Sequence, residues 1–144
     1  MQILSVDRVR LNAAATDKHH AIRLAGDLLV SSGCVTPAYV DGMLAREKTM
    51  STYLDNGVAI PHGQFDNRDH ILKTGISVVQ LQQGVEWEPG EMAYLIVGIA
   101  ATGDEHIDVL SALSEVVEDK EATDRLIQAT DALMIVKMLS GSAK

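Results

Sequence analysis

The chain has 144 residues, 47% of them hydrophobic, which suits one compact domain over residues 1–144 and is too little for two. Its formal net charge of −8 and its aromatic content of only 3% make nucleic acid and anionic membranes poor ligands. Cys34 is the only cysteine, which excludes an internal disulfide and a thiolate metal cluster and fits a reducing compartment.

The first third of the sequence predicts a strand and two helices. Residues 3–9 alternate apolar and polar side chains, as a half-buried edge strand does, and residues 12–15 form a connector. Thr16 is a suitable N-cap for a first amphipathic helix. Thr36 caps a second helix, which ends in a charged turn that contains Arg46.

The middle of the sequence predicts the strands of a sheet. Residues 58–60 form a short buried strand, and residues 74–81 form an interior strand rich in valine and isoleucine. Gly84 marks a turn, after which residues 85–87 form another short strand. Residues 93–99 are the most continuous apolar run, so we expect them at the centre of the sheet.

The last third predicts three helices, over residues 105–117, 120–129 and 131–139. Strands interleaved with helices indicate an α/β fold. No apolar run approaches the ~20 residues of a membrane-spanning helix, and the N-terminus has no charged segment followed by an apolar core. We therefore expect a cytoplasmic protein without direct membrane insertion.

The segment Gly57–Gly63 joins an apolar strand directly to a proline, a histidine and a glycine. Pro61 has a fixed φ and no amide hydrogen, so it ends the strand and gives His62 a rigid support. Gly63 has no side chain, so we expect its backbone amide to approach an anion beside the His62 ring. The segment therefore predicts a seat for a phosphoryl group.

The five histidines differ in their sequence settings, and His62 is the strongest candidate. His19 and His20 lie in the first turn of a charged helix, where a solvated position is expected, and His70 lies in a polar loop. His106 follows the end of a strand and begins a helix, where ligands bind in α/β sheets. Taken alone, His106 is equally well explained as a partly buried structural histidine. Its pairing with His62 favours a functional role.

A histidine that accepts a phosphoryl group needs one neutral nitrogen with a free lone pair and a hydrogen bond to the other nitrogen. The ordinary pKa of ~6.5 leaves most imidazole rings neutral at cytoplasmic pH. A donor such as Arg46 or His106 would offset the phosphoryl charge, and the arrangement needs no cofactor. Arg46 alone is also explained as a solvated residue that suits the helix dipole.

Metal binding is the main chemical alternative, because His62, His70, His106 and Asp66 could surround zinc. The spacing gives this site little support, since no His-x-x-x-His or His-Glu-x-x-His helix is present. The hydrolase motif Gly-x-Ser-x-Gly, the dinucleotide motif Gly-x-Gly-x-x-Gly and the P-loop are also absent. An interaction module remains a further possibility.

Several segments together carry a family resemblance. They are Met43–Lys48, Thr52–Leu54, Gly57–Gly63, Leu72–Gly75, Val97–Ala101 and Glu105–Ile107. In this order they resemble the mannitol-type enzyme IIA of the bacterial phosphoenolpyruvate-dependent sugar phosphotransferase system, within the fructose/mannitol family. The resemblance covers nearly the whole chain.

The resemblance implies a mixed, mainly parallel sheet of about five strands flanked by helices, and a protein-to-protein phosphotransferase without metal or cofactor. It implies that the histidine-containing phosphocarrier protein phosphorylates His62 at Nε2, and that the phosphoryl group passes to a cysteine of a IIB domain for uptake of a sugar, mannitol or a related hexitol. His106 would hydrogen-bond the phosphoryl group, and Arg46 would help neutralise its charge. Regulatory IIA modules, whose phosphorylation controls a partner protein, share this signature.

Overall fold

The computed structural model describes residues 4–63, 65–101 and 103–142. Within these ranges the chain forms five strands and five α-helices, together with 3₁₀ turns at Val6–Arg8 and Phe65–His70. In chain order the elements are β1 (Val9–Ala13), α1 (Lys18–Ser31), α2 (Pro37–Thr49), β2 (Tyr53–Asp55), β3 (Val58–Ala59), β4 (Gly75–Glu88), β5 (Glu91–Ala100), α3 (Gly103–Glu118), α4 (Lys120–Gln128) and α5 (Ala132–Ser142). None of these helices is long and apolar enough to cross a membrane.

The strands form one sheet with the order β1-β4-β5-β3-β2. Strand β5 is therefore central, as its apolar sequence predicts. Two pairings are parallel, β1 with β4 and β3 with β5, and two are antiparallel, β4 with β5 and β2 with β3. The predicted five-stranded mixed α/β sheet is confirmed. Its parallel and antiparallel pairings are equal in number, whereas a mainly parallel sheet was expected.

Helices cover both faces of the sheet. Val78 and Val97 belong to a buried cluster that includes residues of α3, α4 and α5. Val79 and Ile96, which point to the opposite face, belong to a second cluster with α1 and α2. A central strand buried on both faces has no polar side, which explains the continuous apolar run of β5.

The N-terminal strand begins later than the sequence pattern predicts. Residues 6–8 form a 3₁₀ turn because the Arg8 N–H donates to the Ser5 carbonyl at 3.0 Å, and the Ser5 hydroxyl donates to the Asp7 carboxylate. The strand then occupies Val9–Ala13, part of which was expected to be a connector. Local hydrogen bonds therefore override the alternating pattern before this point.

Strand β4 runs without interruption through Gly84, so the predicted turn and separate short strand are wrong. Gly84 has a φ of +69°, and the pairing passes from Gln80 with Leu95 to Val85 with Ala93. The extra residues of β4 form a bulge there. A Cβ atom on Gly84 would lie 2.7 Å from the Tyr94 ring, so the position requires glycine for both backbone and packing reasons.

The predicted helices are largely confirmed, although the cap of α1 differs. The Asp17 carboxylate accepts from the His20 N–H at 2.8 Å, so Asp17 and not Thr16 is the N-cap. Arg46 lies in the last turn of α2, as expected, and Thr36 is at its N-cap position, although the Thr36 side chain makes no capping hydrogen bond.

Gln80 is a buried amide that joins three parts of the fold. Its Nε2 donates to the carbonyls of Leu126 and Ala129 at 3.2 and 2.8 Å, and its Oε1 accepts from the Asn12 N–H at 3.2 Å. We expect Gln80→Leu to lower the free energy of unfolding by ~2–4 kcal/mol, because buried backbone groups lose their partner. Urea denaturation checks this, with the exposed Gln82→Leu on the same strand as the control, expected within ~0.5 kcal/mol of the native protein. Equal effects of the two substitutions would contradict this role of Gln80.

Candidate active site

Backbone hydrogen bonds hold the segment that carries His62. The Ile60 N–H donates to the Thr52 carbonyl at 2.9 Å, and the Pro61 carbonyl accepts from the Ile99 N–H at 3.0 Å. His62 itself forms an isolated parallel bridge with Ile99. The histidine therefore lies on an extension of β3 that is still attached to the central strand β5.

His62 and His106 face each other. Strands β3 and β5 are parallel neighbours, so their carboxyl ends lie at the same edge of the sheet. His62 follows β3, and His106 lies in the first turn of α3, directly after β5. The ring centroids are 5.3 Å apart with an interplanar angle of 66°, and both side chains are half-buried. The predicted juxtaposition of the two histidines is confirmed.

The Nδ1 atom of His62 lies 2.8 Å from the Ile60 carbonyl oxygen. A carbonyl only accepts, so the neutral ring carries its proton on Nδ1 and keeps the lone pair on Nε2. The segment that holds His62 thus also fixes its tautomer and leaves the lone pair of Nε2 free for reaction.

The pKa of His62 is lowered from its ordinary value of 6.5, first of all by burial of the ring. The positive charges of Arg46 and His106 lower it further, while the Ile60 carbonyl and the Glu47 carboxylate act in the opposite direction. The ring is therefore neutral at pH 7 and available to attack an electrophile.

Arg46 lies at the end of α2 with its guanidinium directed by the following turn. Its Nη1 donates to the Met50 carbonyl at 2.7 Å, which uses one of the five N–H groups of the guanidinium. Its positive charge lowers the pKa of His62, so Arg46 acts electrostatically on that ring. The structure thus brings His62 and His106 together, with Arg46 acting on the His62 ring through its charge.

Glu47, which follows Arg46, has a role that the sequence does not reveal. Its carboxylate, on a residue only 5% exposed, accepts from the Thr52 N–H and hydroxyl and from the Trp87 indole N–H at 3.0 Å. Lys18 forms an ion pair with the same carboxylate at 3.6 Å. The carboxylate thereby holds the turn that orients Arg46 and the Thr52 backbone that binds the His62 segment. Trp87 lies 40 residues away along the chain, so no local pattern indicates this contact.

The expectation that the Gly63 amide faces an anion is wrong. This N–H donates at 2.9 Å to the hydroxyl of Tyr39, a residue of α2. A Cβ atom on Gly63 would lie 2.6 Å from the Tyr39 ring. The glycine is therefore required for packing of this ring, and its amide is already bonded within the protein.

A side-chain hydrogen bond supports the helix turn that carries His106. The Thr74 hydroxyl donates to the Glu105 carboxylate at 2.7 Å. This contact links the start of β4 to the first turn of α3. Thr74 belongs to one of the segments that carried the family resemblance, but its partner could not be identified from the sequence.

The remaining histidines have other surroundings. His19 is exposed, and His20 accepts from the Thr16 N–H through Nδ1 at 3.1 Å. His70 ends the second 3₁₀ turn, where its carbonyl accepts from the Thr36 N–H at 2.9 Å. The side chain of Asp66, the fourth member of the alternative zinc site, lies outside the described part of the chain. Among the described residues, no three His, Cys, Asp or Glu side chains are grouped so that they could hold a metal ion.

We expect the His62 ring to titrate below pH 6.5, because burial and the Arg46 charge lower its pKa. Arg46→Gln should raise this pKa, because it removes the positive charge. NMR titration of the ring signals measures this directly. The exposed Arg23→Gln on α1 should leave the midpoint unchanged. A midpoint at or above 6.5, or no response to Arg46→Gln, would contradict the expected electrostatics.

One protein family matches almost the whole chain. A family model described as "Phosphoenolpyruvate-dependent sugar phosphotransferase system, EIIA 2" matches residues 2–142. The mannitol-specific phosphotransferase enzyme IIA component of Bacillus subtilis (strain 168) is 40% identical over 129 residues, which are 90% of this chain and 90% of that protein.

Longer relatives contain a similar stretch. The multiphosphoryl transfer protein of Rhodobacter capsulatus is 47% identical over 140 residues, which are 97% of this chain and 17% of that protein. The chain likewise spans 28% and 37% of the multiphosphoryl transfer proteins of Haemophilus influenzae and Escherichia coli O157:H7.

The fold also matches a solved structure, a complex of enzyme IIAMTL and phosphorylated enzyme IIBMTL from Escherichia coli. The TM-score is 0.90 and the identity 38%, with 96% of this chain and 97% of that chain covered. Because the family model covers nearly every residue and this solved relative shares the fold over nearly its full length, the chain belongs to the EIIA 2 family of the phosphoenolpyruvate-dependent sugar phosphotransferase system.

Proposed function

We propose that His62 accepts a phosphoryl group at Nε2 from the histidine-containing phosphocarrier protein and passes it to a cysteine of a IIB domain. The observation that carries this proposal is the His62 ring itself, whose Nδ1 is bonded to the Ile60 carbonyl while the ring faces His106 at 5.3 Å. A neutral ring with a fixed tautomer and a neighbouring donor meets the requirements of a phosphoryl acceptor.

The proposed transfer consists of two in-line displacements at phosphorus. The Nε2 lone pair attacks the phosphorus of the donor phosphohistidine, and the donor P–N bond breaks with its electron pair returning to the donor nitrogen. In the second step the IIB thiolate attacks the phosphorus, and the P–Nε2 bond returns its pair to His62. The proton stays on Nδ1, hydrogen-bonded to the Ile60 carbonyl, throughout both steps, so the reaction depends on positioning and charge stabilisation.

His106 and Arg46 supply the charge stabilisation in this proposal. A ring N–H of His106 donates to a phosphoryl oxygen, and the Arg46 guanidinium offsets the negative charge. Donors fixed before the reaction, as Arg46 is by the Met50 carbonyl, stabilise transferred charge without reorganisation.

The relatives support the proposed acceptor and the proposed sugar. The Escherichia coli complex pairs a IIA protein with a phosphorylated IIB protein, which supports a IIB domain as the acceptor. The Bacillus subtilis relative is named as mannitol-specific, which supports uptake of mannitol or a related hexitol. Residues 1–144 act in this proposal as one IIA domain in the cytoplasm, where both partners present their reactive groups.

A reconstituted transfer assay tests the proposal. The chain is incubated with phosphoenolpyruvate, enzyme I and the phosphocarrier, and a purified mannitol IIB domain is then added. We expect acid-labile phosphate on the chain and its passage to the IIB cysteine. If the phosphate stays on the chain after the IIB domain is added, a regulatory role would replace the transport role in the proposal. No labelling at all would contradict the proposal, and stoichiometric zinc with activity lost to a chelator would replace it by a metal-dependent reaction.

A further inference from the structure

We propose that the Tyr39 hydroxyl is a positioning group for phosphoryl transfer, inserted between the His62 segment and β5 so that it sets the separation of His62 and His106. The inference rests on the proposed function of His62 and deepens it, because it identifies what determines the geometry of the site. Tyr39 would not touch the phosphoryl group.

The hydrogen bonds between the His62 segment and β5 carry this inference. A parallel bridge between His62 and Ile99 joins the Ile99 N–H to the Pro61 carbonyl and, in a regular ladder, the Ile99 carbonyl to the Gly63 N–H. The first bond is present at 3.0 Å. The Tyr39 hydroxyl engages both groups of the second pair, because it accepts from the Gly63 N–H at 2.9 Å and donates to the Ile99 carbonyl at 2.8 Å.

The hydroxyl therefore bridges two backbone groups that a regular ladder would join without it. One of them directly follows His62, and the other lies at the end of the strand that leads into the helix of His106. The distance between the Gly63 nitrogen and the Ile99 carbonyl oxygen is therefore set by two hydrogen bonds to the single Tyr39 oxygen. We infer that this distance in turn determines the separation of the His62 and His106 rings.

The Tyr39 ring is held rigidly in this position. The residue is 3% exposed, and its ring packs so closely on Gly63 that a Cβ atom there would clash at 2.6 Å. Burial raises the pKa of Tyr39, so the hydroxyl stays protonated and keeps both of its hydrogen bonds. Tyr39 and Arg46 belong to the same helix, α2, so the helix that carries Arg46 also positions His62.

Without the hydroxyl, the Gly63 N–H and the Ile99 carbonyl either pair directly or lose their partner. Direct pairing draws the residue after His62 toward β5 and changes the distance between the rings. In-line transfer depends on the reacting atoms lying within a narrow range, and a displacement of ~1 Å can reduce the rate by up to ~10²-fold.

The chain contains a matched control at the opposite end of the β3–β5 pairing. The Tyr53 hydroxyl accepts from the Gly57 N–H at 3.1 Å and donates to the Met92 carbonyl at 3.2 Å. Tyr53→Phe therefore removes the same type of bridge between a glycine amide and a β5 carbonyl, at the end of β3 away from His62.

The experiment compares Tyr39→Phe and Tyr53→Phe in the full chain by single-turnover phosphorylation from the phosphorylated phosphocarrier. We expect Tyr39→Phe to reduce the maximal rate by at least ~10-fold with little change in the carrier concentration for half-maximal rate, and Tyr53→Phe to change it by less than ~2-fold. NMR contacts between the His62 and His106 rings should change only in Tyr39→Phe.

A folded Tyr39→Phe that transfers at the native rate, or an equal loss in both variants, would overturn the inference. If Tyr39→Phe does not fold, Gly63→Ala displaces the same ring while retaining the hydroxyl, and a native rate in that variant would overturn it as well. Failure of the native chain to be labelled at His62 would instead refute the proposed function.

Discussion

His62→Gln is expected to abolish acceptance of phosphate from the phosphocarrier while leaving the fold intact. The glutamine amide can still donate to the Ile60 carbonyl, but it has no nucleophilic nitrogen lone pair. Loss of a nucleophile lowers transfer by more than ~10⁴-fold. Labelling with radioactive phosphoenolpyruvate measures the loss, and circular dichroism with thermal unfolding confirms that the variant is folded.

His70→Gln is the control for this result, because His70 was the weaker candidate in the same stretch of sequence and uses its backbone carbonyl in the fold. It should be labelled at the native rate. Acid-labile phosphate on His62→Gln, or loss of labelling in His70→Gln alone, would contradict the assignment of His62.

His106→Ala is expected to slow transfer by ~10²–10³-fold without abolishing it. The nucleophile remains, but the phosphoryl oxygens lose a fixed donor, and removal of one such donor costs about this much in other transfer enzymes. Single-turnover kinetics with the native and variant chains measures the effect. The phosphate should still be found on His62.

His106→Gln offers a matched comparison, because its amide retains an N–H donor of similar reach. It should recover part of the rate lost in His106→Ala. An unchanged rate in His106→Ala would mean that the histidine is structural, as its sequence setting alone also allowed. A loss as complete as that of His62→Gln would indicate that the acceptor had been assigned to the wrong ring.

The parts of the fold that the sequence predicts well are those with a strong local signal. The apolar run in β5 indicated its central position because a strand buried on both faces needs no polar side. The amphipathic pattern of residues 105–117 similarly predicted α3 and placed His106 in its first turn. Because β3 and β5 end at the same edge, those local signals also predicted the meeting of His62 and His106.

The errors arise where distant or competing contacts decide the structure. Thr16 and Asp17 are both good N-caps, and only the actual hydrogen bond to His20 distinguishes them. Gly84 suggested a turn because glycine adopts positive φ readily. In the structure that positive φ belongs to a bulge of β4, where the Tyr94 ring of the neighbouring strand packs against the glycine. Sequence patterns within a few residues contain no information about such partners.

The supporting groups of the site were missed for the same reason. The partners of the Tyr39 hydroxyl, Gly63 and Ile99, lie 24 and 60 residues along the chain. Glu47 is buried although it lies in the charged final turn of a helix, where a carboxylate is usually exposed to solvent. The candidate histidine pair of this site is visible in the sequence, while the groups that hold it become visible only in the fold.

The most direct test of the central claim is the position of the phosphate in the phosphorylated native chain, measured by ³¹P and ¹⁵N NMR with mass spectrometric mapping. The claim predicts a single phosphohistidine at His62, with phosphorus bonded to Nε2 and the proton retained on Nδ1. Phosphate on Nδ1 of His62, or on any other residue, would contradict it.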